Sequence, residues 1–217
     1  MVQNKQVLQI AGLDEGDSIT QKYTLLKEVG KGAFGSVFKA LDKTKGTLNE
    51  DAFVAIKKLF YDRKYEQREV PTLLEIRNHG LCDNIIRLKE RYLKQVEEVN
   101  PKKNMLKETK EYLYIVTDYL PFTICDINVS PAIYLSKVQQ NQKAVANARF
   151  LCLESIRQTM YGVFKGLRDL HSIGITHRDI KLSNILIDND RYPVSRVKIC
   201  DLGSSKKLIS NPNDEST

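Results

Sequence analysis

The feature that most restricts the fold is the polar segment "HRDIKLSN" at residues 177–184, together with the residues immediately after it. Asp179 and Asn184 stand five residues apart in this segment. Two short apolar pieces, "NILID" and "VKIC", then predict strands, and the second leads directly into Asp201-Leu202-Gly203. Carboxylate and amide oxygens are the ligands that Mg²⁺ prefers. An ordinary polar loop after a helix would not combine this spacing with a strand and a second Asp, so the pattern predicts a metal-binding loop.

A glycine-rich segment, "VGKGAFGSVFKA", carries Gly30, Gly32 and Gly35. Glycines let a backbone approach phosphate groups closely. Dinucleotide-binding folds use the same spacing, and Asp51 lies where such folds keep a ribose-binding acid. Those folds need a helix directly after the glycines, whereas "SVFKA" is typical of a strand. We therefore reject the dinucleotide interpretation and predict a glycine-rich hairpin.

One lysine, Lys57, lies on the apolar strand-like segment "FVAIKKL", and a helix is predicted over residues 67–78. Pro71 limits where that helix begins, because a proline in a helix interior costs ~3 kcal/mol or more, whereas the first turn tolerates it. The helix should therefore begin near residue 67 or 68. Glu69 is then the candidate partner of Lys57, and Glu75, nearly two turns further along, is the competitor.

The remaining segments give a coarse outline. Residues 1–20 are interpreted as a tail or an extra strand. "NIIRLKERYL" and "EYLYIVTDYL" predict strands, separated by a long charged surface loop at 94–110. Residues 148–172 predict an amphipathic helix. Its apolar positions are Leu153, Ile156, Met160, Val163, Phe164, Leu167 and Leu170.

Composition is that of a soluble globular chain, with 217 residues, 41% hydrophobic and 28% charged. No apolar run approaches the ~20 residues that a membrane span requires, and the N-terminus has no secretory signal pattern. The four cysteines form no Cys-x-x-Cys pair, so we expect reduced thiols in a cytoplasmic or nuclear protein. The net charge of +7 is compatible with nucleic-acid binding, but a solvated basic surface is the simpler interpretation, and no nucleic-acid or membrane partner is expected.

Residues 23–208 resemble a eukaryotic protein kinase, and within that superfamily the glycogen synthase kinase-3 family of the CMGC group. The resemblance rests on "RKYEQREVPTLLEI", "YIVTDYLP", "HSIGITHRDIKLSNILID" and "KICDLGSSKKL". It implies an α+β, two-lobed fold with ATP between the lobes. The β-rich N-lobe would be complete at 23–120, after a tail at 1–22. Only the first part of the helical C-lobe would be present, at 121–217, because the chain ends shortly after the Asp-Leu-Gly turn.

The resemblance also implies a role for each matching residue. Asp179 would be the catalytic base, and Lys181 would contact the transferring phosphoryl group. Lys57, held by Glu69, would bind phosphates of ATP. His177 would support the loop. The other implied ligands are Asn184 and Asp201 for Mg²⁺, and Val29, Gly30, Gly32, Gly35, Val37, Ala55, Lys57, Thr117, Asp118, Leu120 and Cys200 for ATP.

The family prefers protein substrates that are already phosphorylated nearby, and Arg68, Arg178 and Lys206 match the basic residues that bind this priming phosphate. Leu182 replaces a family proline, and Leu202 replaces the usual phenylalanine with another bulky apolar side chain. The N-terminus lacks the family's basic autoinhibitory stretch. The expected function is an ATP-dependent Ser/Thr protein kinase. The alternative is a catalytically inactive fragment that binds a nucleotide or a partner.

Overall fold

The computed structural model describes residues 2–32, 35–46, 50–61, 68–100, 106–127, 153–190 and 194–208. The chain divides into two compact units. The first comprises Met1–Val70 and Arg87–Tyr119, and the second comprises Pro71–Ile86 and Leu120–Thr217. The domain boundaries expected from the resemblance, 1–22, 23–120 and 121–217, stay predictions, although residues 1–22 fall within the first unit.

The first unit contains a five-stranded antiparallel sheet. Its strands are β1 (Tyr23–Gly32), β2 (Gly35–Asp42), β3 (Phe53–Phe60), β4 (Leu88–Asn100) and β5 (Leu106–Asp118), in the spatial order β1-β2-β3-β5-β4. The predicted strands at 23–59 and in the two later segments are confirmed. Each neighbouring pair is antiparallel, although β3 and β5 are not consecutive in the chain.

The two faces of this sheet carry different residues. Val37 lies opposite Lys57, and Ala55 lies opposite Thr117. Because side chains alternate between faces along a strand and registered partners share a face, these four side chains lie on one side of the sheet. All four are residues that the sequence assigned to nucleotide binding. The residues between them, at 38, 56 and 116, face the opposite side and are buried.

That opposite side is covered by the N-terminal residues, so their interpretation as a tail or an extra strand is wrong. They form helices α1 (Val2–Ala11) and α2 (Ser18–Lys22). Tyr114 Oη of β5 donates a hydrogen bond to the Ala11 carbonyl, at 2.7 Å. The apolar side chains of this segment join the core of the sheet, because helical turns bring them to one side. This core comprises Leu8, Ala11, Leu13, Ile19, Tyr23, Leu25, Phe38, Ala40, Val54, Ile56, Tyr114 and Val116.

Ion pairs also attach the segment between α1 and α2 to strand β4. Lys94 Nζ of β4 lies 2.9 Å from Asp14 Oδ2 and 2.6 Å from Asp17 Oδ2. Thr20 Oγ1 donates to the Asp17 carbonyl at 2.8 Å. The N-terminal residues thus pack as a layer of the first unit.

The predicted surface loop at 94–110 is largely a strand ribbon. β4 continues to Asn100 and β5 begins at Leu106, in continuous antiparallel register, and only 101–105 lie outside the described residues. Gln95 Nε2 donates to Glu111 Oε1 across the ribbon, at 2.8 Å. Charged residues misled the loop prediction because a strand exposed to water need not be apolar, and cross-strand polar pairs stabilise it.

Helix α3 comprises Glu69–Asn78. The second unit is built around helix α4 (Leu153–Ser172) and short strands. The sequence predicts this helix over 148–172, of which 148–152 lie outside the described residues. β6 (Phe122–Thr123), β8 (Ile185–Ile187) and β9 (Val197–Ile199) form one small sheet, and β7 (Ile175–Thr176) pairs with β10 (Lys206–Lys207). The strands predicted from "NILID" and "VKIC" are confirmed as β8 and β9.

Two glycines allow α4 to approach the strand layer. A Cβ at Gly162 would lie 2.7 Å from the Val197 side chain, and one at Gly166 would lie 2.8 Å from the Asn84 carbonyl. At these two glycines the backbone of α4 therefore lies in close contact with β9 and with the segment before β4. No helix among the described residues is long and apolar enough to cross a membrane.

Candidate active site

The predicted lysine–glutamate pair is formed within the first unit. Helix α3 (Glu69–Asn78) begins one residue after Arg68, which places Pro71 in its first turn as the sequence required. Lys57 Nζ of β3 lies 3.0 and 2.9 Å from the two carboxylate oxygens of Glu69. Glu69 is only 8% exposed, and a buried carboxylate needs such a partner. Glu75, the competitor, instead forms an ion pair with Lys207.

The glycine-rich segment is a hairpin between β1 and β2, with Gly30 opposite Val37 and Gly32 opposite Gly35. β2 starts at the last glycine, so the helix that a dinucleotide-binding fold requires is not there. Gly35 has a φ of 148°, and a Cβ at this position would overlap the backbone carbonyl of Lys58. Only glycine fits this crossing between β2 and β3. Val29, another predicted ligand, is exposed, and residues 33–34 lie outside the described residues.

The end of β5 holds the next predicted ligands. Thr117 Oγ1 lies 3.3 Å from the Asp118 carbonyl oxygen, to which it donates. The Asp118 carboxylate faces Lys89 Nζ at 3.4 Å, and its backbone N–H donates to the Arg87 carbonyl at 3.3 Å. The carboxylate and the N–H of Asp118 are therefore both engaged within the sheet, so its carbonyl oxygen, which can accept a second hydrogen bond, is the atom suited to recognition. Leu120 is buried in the second unit.

In the second unit, the loop at 177–184 gathers three predicted residues. Asp179 Oδ2 accepts hydrogen bonds from Lys181 Nζ at 2.8 Å and from Asn184 Nδ2 at 3.1 Å. Asn184 Nδ2 also donates to the Asp179 carbonyl, at 2.9 Å. The hydrogen bond from Lys181 is the main cause that lowers the pKa of Asp179 below its ordinary value. The Asp179 carboxylate is therefore ionised at neutral pH and can accept a hydrogen bond from a hydroxyl group.

His177 supports this loop, as predicted. Its Nδ1 accepts the backbone N–H of Asp179 at 3.2 Å, so Nε2 carries the proton and donates to the Cys200 carbonyl at 2.9 Å. Burial lowers the pKa of His177 below its usual value, although the Cys200 carbonyl acts in the opposite direction. The imidazole is therefore a neutral bridge. The Cys200 N–H also donates to the Asn184 carbonyl, at 2.9 Å.

These bonds hold the two predicted metal ligands in adjoining segments. Asp201 comes directly after Cys200 and has a φ of 63°, a left-handed conformation that is uncommon for a residue with a side chain. It opens the turn Leu202–Ser204, and Leu202 is fully buried, which agrees with an apolar packing role. Both hydrogen bonds of the Asn184 amide nitrogen go to Asp179, so its amide oxygen is the atom suited to a cation. An amide oxygen and a carboxylate fit Mg²⁺.

The three residues predicted to bind a priming phosphate do not all belong to the same unit. Arg178 has a φ of 65° and donates from Nε to the Ser204 carbonyl at 2.7 Å. Lys206 of β10 lies opposite Thr176 of β7 and is exposed. Lys206 thus lies on β10, and Arg178 comes two residues after the end of β7, the strand that pairs with β10. Arg68 is exposed in the first unit, immediately before α3.

Sequence reasoning missed the contacts of α3 with the segment after Asp201. Thr72 Oγ1 lies 3.2 Å from Ser205 Oγ, and Glu75 pairs with Lys207. The sequence offered Glu75 only as a competitor for Lys57. The three-residue spacing of Thr72 and Glu75 places both on one helix face, and this was the signal available in the sequence.

Comparisons with known proteins agree with this geometry. The family model described as the protein kinase domain matches residues 23–217. "Protein kinase gsk31" of Schizosaccharomyces pombe is 31% identical over 199 residues, which is 91% of this chain and 43% of that protein. "Probable serine/threonine-protein kinase MRK1 homolog" of Encephalitozoon cuniculi is 32% identical over 189 residues, 87% of this chain and 46% of that protein.

The chain thus spans less than half the length of these two curated relatives. The matched model nevertheless covers everything from Tyr23 onward, including β1–β5, the lysine–glutamate pair and the loop around Asp179. The predicted α+β kinase fold class is confirmed. The chain belongs to the protein kinase family.

Proposed function

We propose that this chain carries the ATP- and Mg²⁺-binding residues of a Ser/Thr protein kinase, which transfers the γ-phosphoryl group of ATP to hydroxyl groups of proteins. The observation that carries the proposal is the cluster around Asp179, whose carboxylate lies within 3.1 Å of both Lys181 and Asn184. Phosphoryl transfer is catalysed mainly by positioning and by neutralising charge, and this cluster supplies an acceptor, a cation and a metal ligand together.

Each residue then has a defined task. The Lys57 ammonium binds phosphate oxygens of ATP while Glu69 holds it in place. Asp179 orients the substrate hydroxyl and accepts its proton, and Lys181 neutralises charge on the transferring group. Bound Mg²⁺, held by the amide oxygen of Asn184 and the carboxylate of Asp201, would neutralise charge on the phosphate oxygens.

The remaining ATP contacts are assigned by sheet face and by backbone. Val37, Ala55 and Thr117 share the sheet face of Lys57 and offer small or apolar contacts to a base and a ribose. The glycine hairpin, with Gly35 in a conformation that only glycine fits, offers backbone N–H groups to phosphates. Backbone groups of Asp118 and Leu120 bond the adenine in this assignment. Val29 and Cys200 complete the apolar contacts.

For the substrate class, we propose a preference for proteins that are already phosphorylated, as in glycogen synthase kinase-3-like enzymes. Lys206 lies on β10 and Arg178 follows its partner strand β7 by two residues. Arg68 precedes the N-terminus of α3, where a guanidinium and the positive end of a helix favour an anion. The test compares primed and unprimed peptides with Arg68→Ala. Arg77→Ala, at the exposed C-terminal end of the same helix, is the matched control. Loss of primed-peptide preference in Arg68→Ala alone is expected, and an unchanged preference would refute it.

A second candidate is a chain that binds ATP without transferring phosphate. The two candidates predict the same nucleotide binding and differ only in turnover.

One experiment separates them. Binding of Mg²⁺–ATP and transfer from radiolabelled ATP to a peptide mixture are measured for the wild-type chain and for Asp179→Asn. Loss of an acid–base group costs about 10²–10⁴-fold in rate, so the kinase proposal expects transfer that Asp179→Asn reduces by that range with binding unchanged. Binding without transfer in the wild-type chain supports the second candidate. Equal transfer by both chains, or no binding by either, refutes the kinase assignment.

A further inference from the structure

Two lysines lie directly opposite each other on the sheet face that carries Ala55. Lys39 of β2 is in register with Lys27 of β1 on one side and with Ala55 of β3 on the other. Because registered partners share a face, Lys39 lies on the face proposed to bind the nucleotide. Like charges in this arrangement repel each other. The two ammonium groups therefore need separate partners.

Within the described residues, carboxylates do not supply these partners. Other lysines of the first unit each face a carboxylate, namely Lys22, Lys57, Lys89 and Lys94. In the same part of the chain, neither Lys27 nor Lys39 makes such an ion pair. Lys27 is exposed to water, whereas burial, together with the charge of Lys27, lowers the pKa of Lys39. The Lys39 ammonium is therefore stabilised by another kind of contact.

Two aromatic rings hold the Lys39 ammonium. Its Nζ lies 3.9 Å from the centroid of the Phe53 ring and 4.8 Å from the centroid of the Tyr119 ring. A ring face attracts an ammonium through its quadrupole, and this attraction grows as the pair is withdrawn from water. Both rings are partly buried, and burial raises the pKa of the Tyr119 phenol, which is therefore neutral. We call Lys39, Phe53 and Tyr119 the aromatic clamp.

The two rings of the aromatic clamp differ in how the sheet holds them. Phe53 is the first residue of β3, a strand with a registered partner strand on each side. Tyr119 comes directly after β5, whose last residue in register with β3 is Asp118. The strand ladder therefore holds Phe53 but not Tyr119. The clamp is what connects the Tyr119 ring to the sheet.

The position of Tyr119 decides where the Asp118 carbonyl points. A peptide group is planar, so the Asp118 carbonyl and the Tyr119 nitrogen move as one unit. This carbonyl accepts a hydrogen bond from Thr117 Oγ1 at 3.3 Å and has a second lone pair left. The Asp118 N–H donates to the Arg87 carbonyl in a long hydrogen bond of 3.3 Å. These long bonds alone would orient the carbonyl loosely, so a fixed Tyr119 ring adds to its precision.

We propose that Lys39 is a positioning residue for base recognition, which holds the Tyr119 ring beside Phe53 and thereby fixes the direction of the Asp118 carbonyl. A carbonyl in a fixed direction favours a base with an amino group at that position, as adenine has, over one with an oxo group, as guanine has. The role in base recognition rests on the proposed function, whereas the effect of Lys39 on Tyr119 and Asp118 does not.

The first measurement is hydrogen exchange at the Asp118 and Tyr119 amides of the full chain without nucleotide. Exchange is followed residue by residue with nuclear magnetic resonance, and the amide of the buried Ile115 in β5 is the internal reference. Lys39→Met removes the charge and keeps a side chain of similar length. Lys39→Arg restores a cation that stacks on aromatic rings. Tyr119→Leu removes the clamp from the other side.

Lys27→Met is the matched control. It removes one positive charge from the same sheet face, at the residue opposite Lys39, and Lys27 makes no ring contact within the described residues. Loss of charge alone therefore affects Lys27→Met and Lys39→Met alike, whereas loss of the clamp affects only Lys39→Met. Circular dichroism establishes that each variant is folded, and Tyr119→Leu provides the test should Lys39→Met fail this check.

We expect Lys39→Met and Tyr119→Leu to speed exchange at Asp118 about threefold to tenfold, as a partly desolvated cation–π contact can supply. The double variant should exchange no faster than either single variant, because both changes remove the same contact. Lys39→Arg and Lys27→Met should exchange at the wild-type rate. A wild-type rate in both Lys39→Met and Tyr119→Leu, or an equal increase in Lys27→Met, would overturn the clamp.

The second measurement compares the affinities for Mg²⁺–ATP and Mg²⁺–GTP by calorimetry. The two nucleotides carry the same ribose and triphosphate, so an effect of charge or of general folding cancels in the ratio of their affinities. Lys39→Met should lower the preference for ATP about threefold to tenfold, and Lys39→Arg should restore it. An unchanged ratio in Lys39→Met, although Asp118 exchanges faster, would overturn the link to the base. A wild-type chain that binds neither nucleotide contradicts the proposed function alone, because the exchange rates still decide the clamp.

Discussion

Truncation of Ile19 to alanine tests whether the N-terminal residues are part of the folded first unit. Ile19 lies on α2, is only 2% exposed and belongs to the core that packs on the back of the sheet. A detached tail would be indifferent to this change. In a packed layer, the change would remove the free energy gained by burying the deleted methyl groups. It would also leave a cavity whose lining atoms lose their packing contacts.

The expected cost can be set from this burial. Ile→Ala in a core destabilises by about 2–5 kcal/mol. We expect the lower part of this range, about 2–3 kcal/mol, because α2 has five residues and can shift into part of the cavity. Ile10→Ala is the control, since Ile10 lies on α1 but is 49% exposed. A surface change of this kind is expected to stay within about 0.5 kcal/mol.

The assay is urea unfolding followed by tyrosine fluorescence and far-ultraviolet circular dichroism, because the chain has ten tyrosines and no tryptophan. The two probes must coincide before a single free energy of unfolding is derived, since the chain has two compact units. Ile19→Ala should lower the unfolding midpoint clearly, with Ile10→Ala near the wild type. Equal midpoints for the two variants would refute the packing of α2 on the sheet.

Three further changes have defined outcomes. Gly35→Ala should lower the melting temperature sharply in a thermal scan, because its Cβ overlaps the Lys58 carbonyl, whereas Gly46→Ala, with open space around it, should not; equal melting temperatures would contradict the close crossing. Burial alone would raise the pKa of Glu90, but hydrogen bonds from a lysine and two tyrosines hold this pKa below its usual value. The ionised Glu90 carboxylate therefore stabilises the folded chain above pH ~4.3, and this stabilisation is lost as the pH falls through the lowered pKa. Acid titration of unfolding should therefore show a smaller loss of stability for Glu90→Gln than for the wild type. Burial lowers the pKa of His177, so the imidazole binds a proton more readily in the unfolded chain than in the folded one. The free energy of unfolding should therefore fall as the pH drops below ~6.5. Proton magnetic resonance should find the His177 imidazole titrating below that pH.

The chemistry of the candidate site could be predicted because its residue types and spacing are narrowly required. Pro71 alone placed the start of α3, since a proline is tolerated in the first turn and excluded beyond it. That start made Glu69 the partner of Lys57 in preference to Glu75, and the structure confirms this pairing. The spacing of Asp179 and Asn184 likewise corresponds to a direct hydrogen bond, at 3.1 Å.

The N-terminal helices and the β4–β5 ribbon could not be predicted in the same way. Leu8, Ala11, Leu13 and Ile19 become a core only when the sheet offers them a surface, and a short polar segment gives weak periodicity by itself. The ribbon at 94–110 is rich in charge, which correlates with loops, yet its strands form through backbone pairing that composition does not reveal. In both cases tertiary contacts override local preference.

The contacts that matter most for positioning were the least predictable, and the reason is physical. His177 bonds a carbonyl 23 residues away, and Thr72 meets a hydroxyl 133 residues away. Such bonds need only complementary polar atoms at one point in space, so many residue types satisfy them and no periodicity marks them. A motif, in contrast, is recognisable because phosphate and metal chemistry accepts few alternatives. The residues that would do the chemistry are therefore evident from the chain, whereas the long-range hydrogen bonds that position them become evident only from the fold.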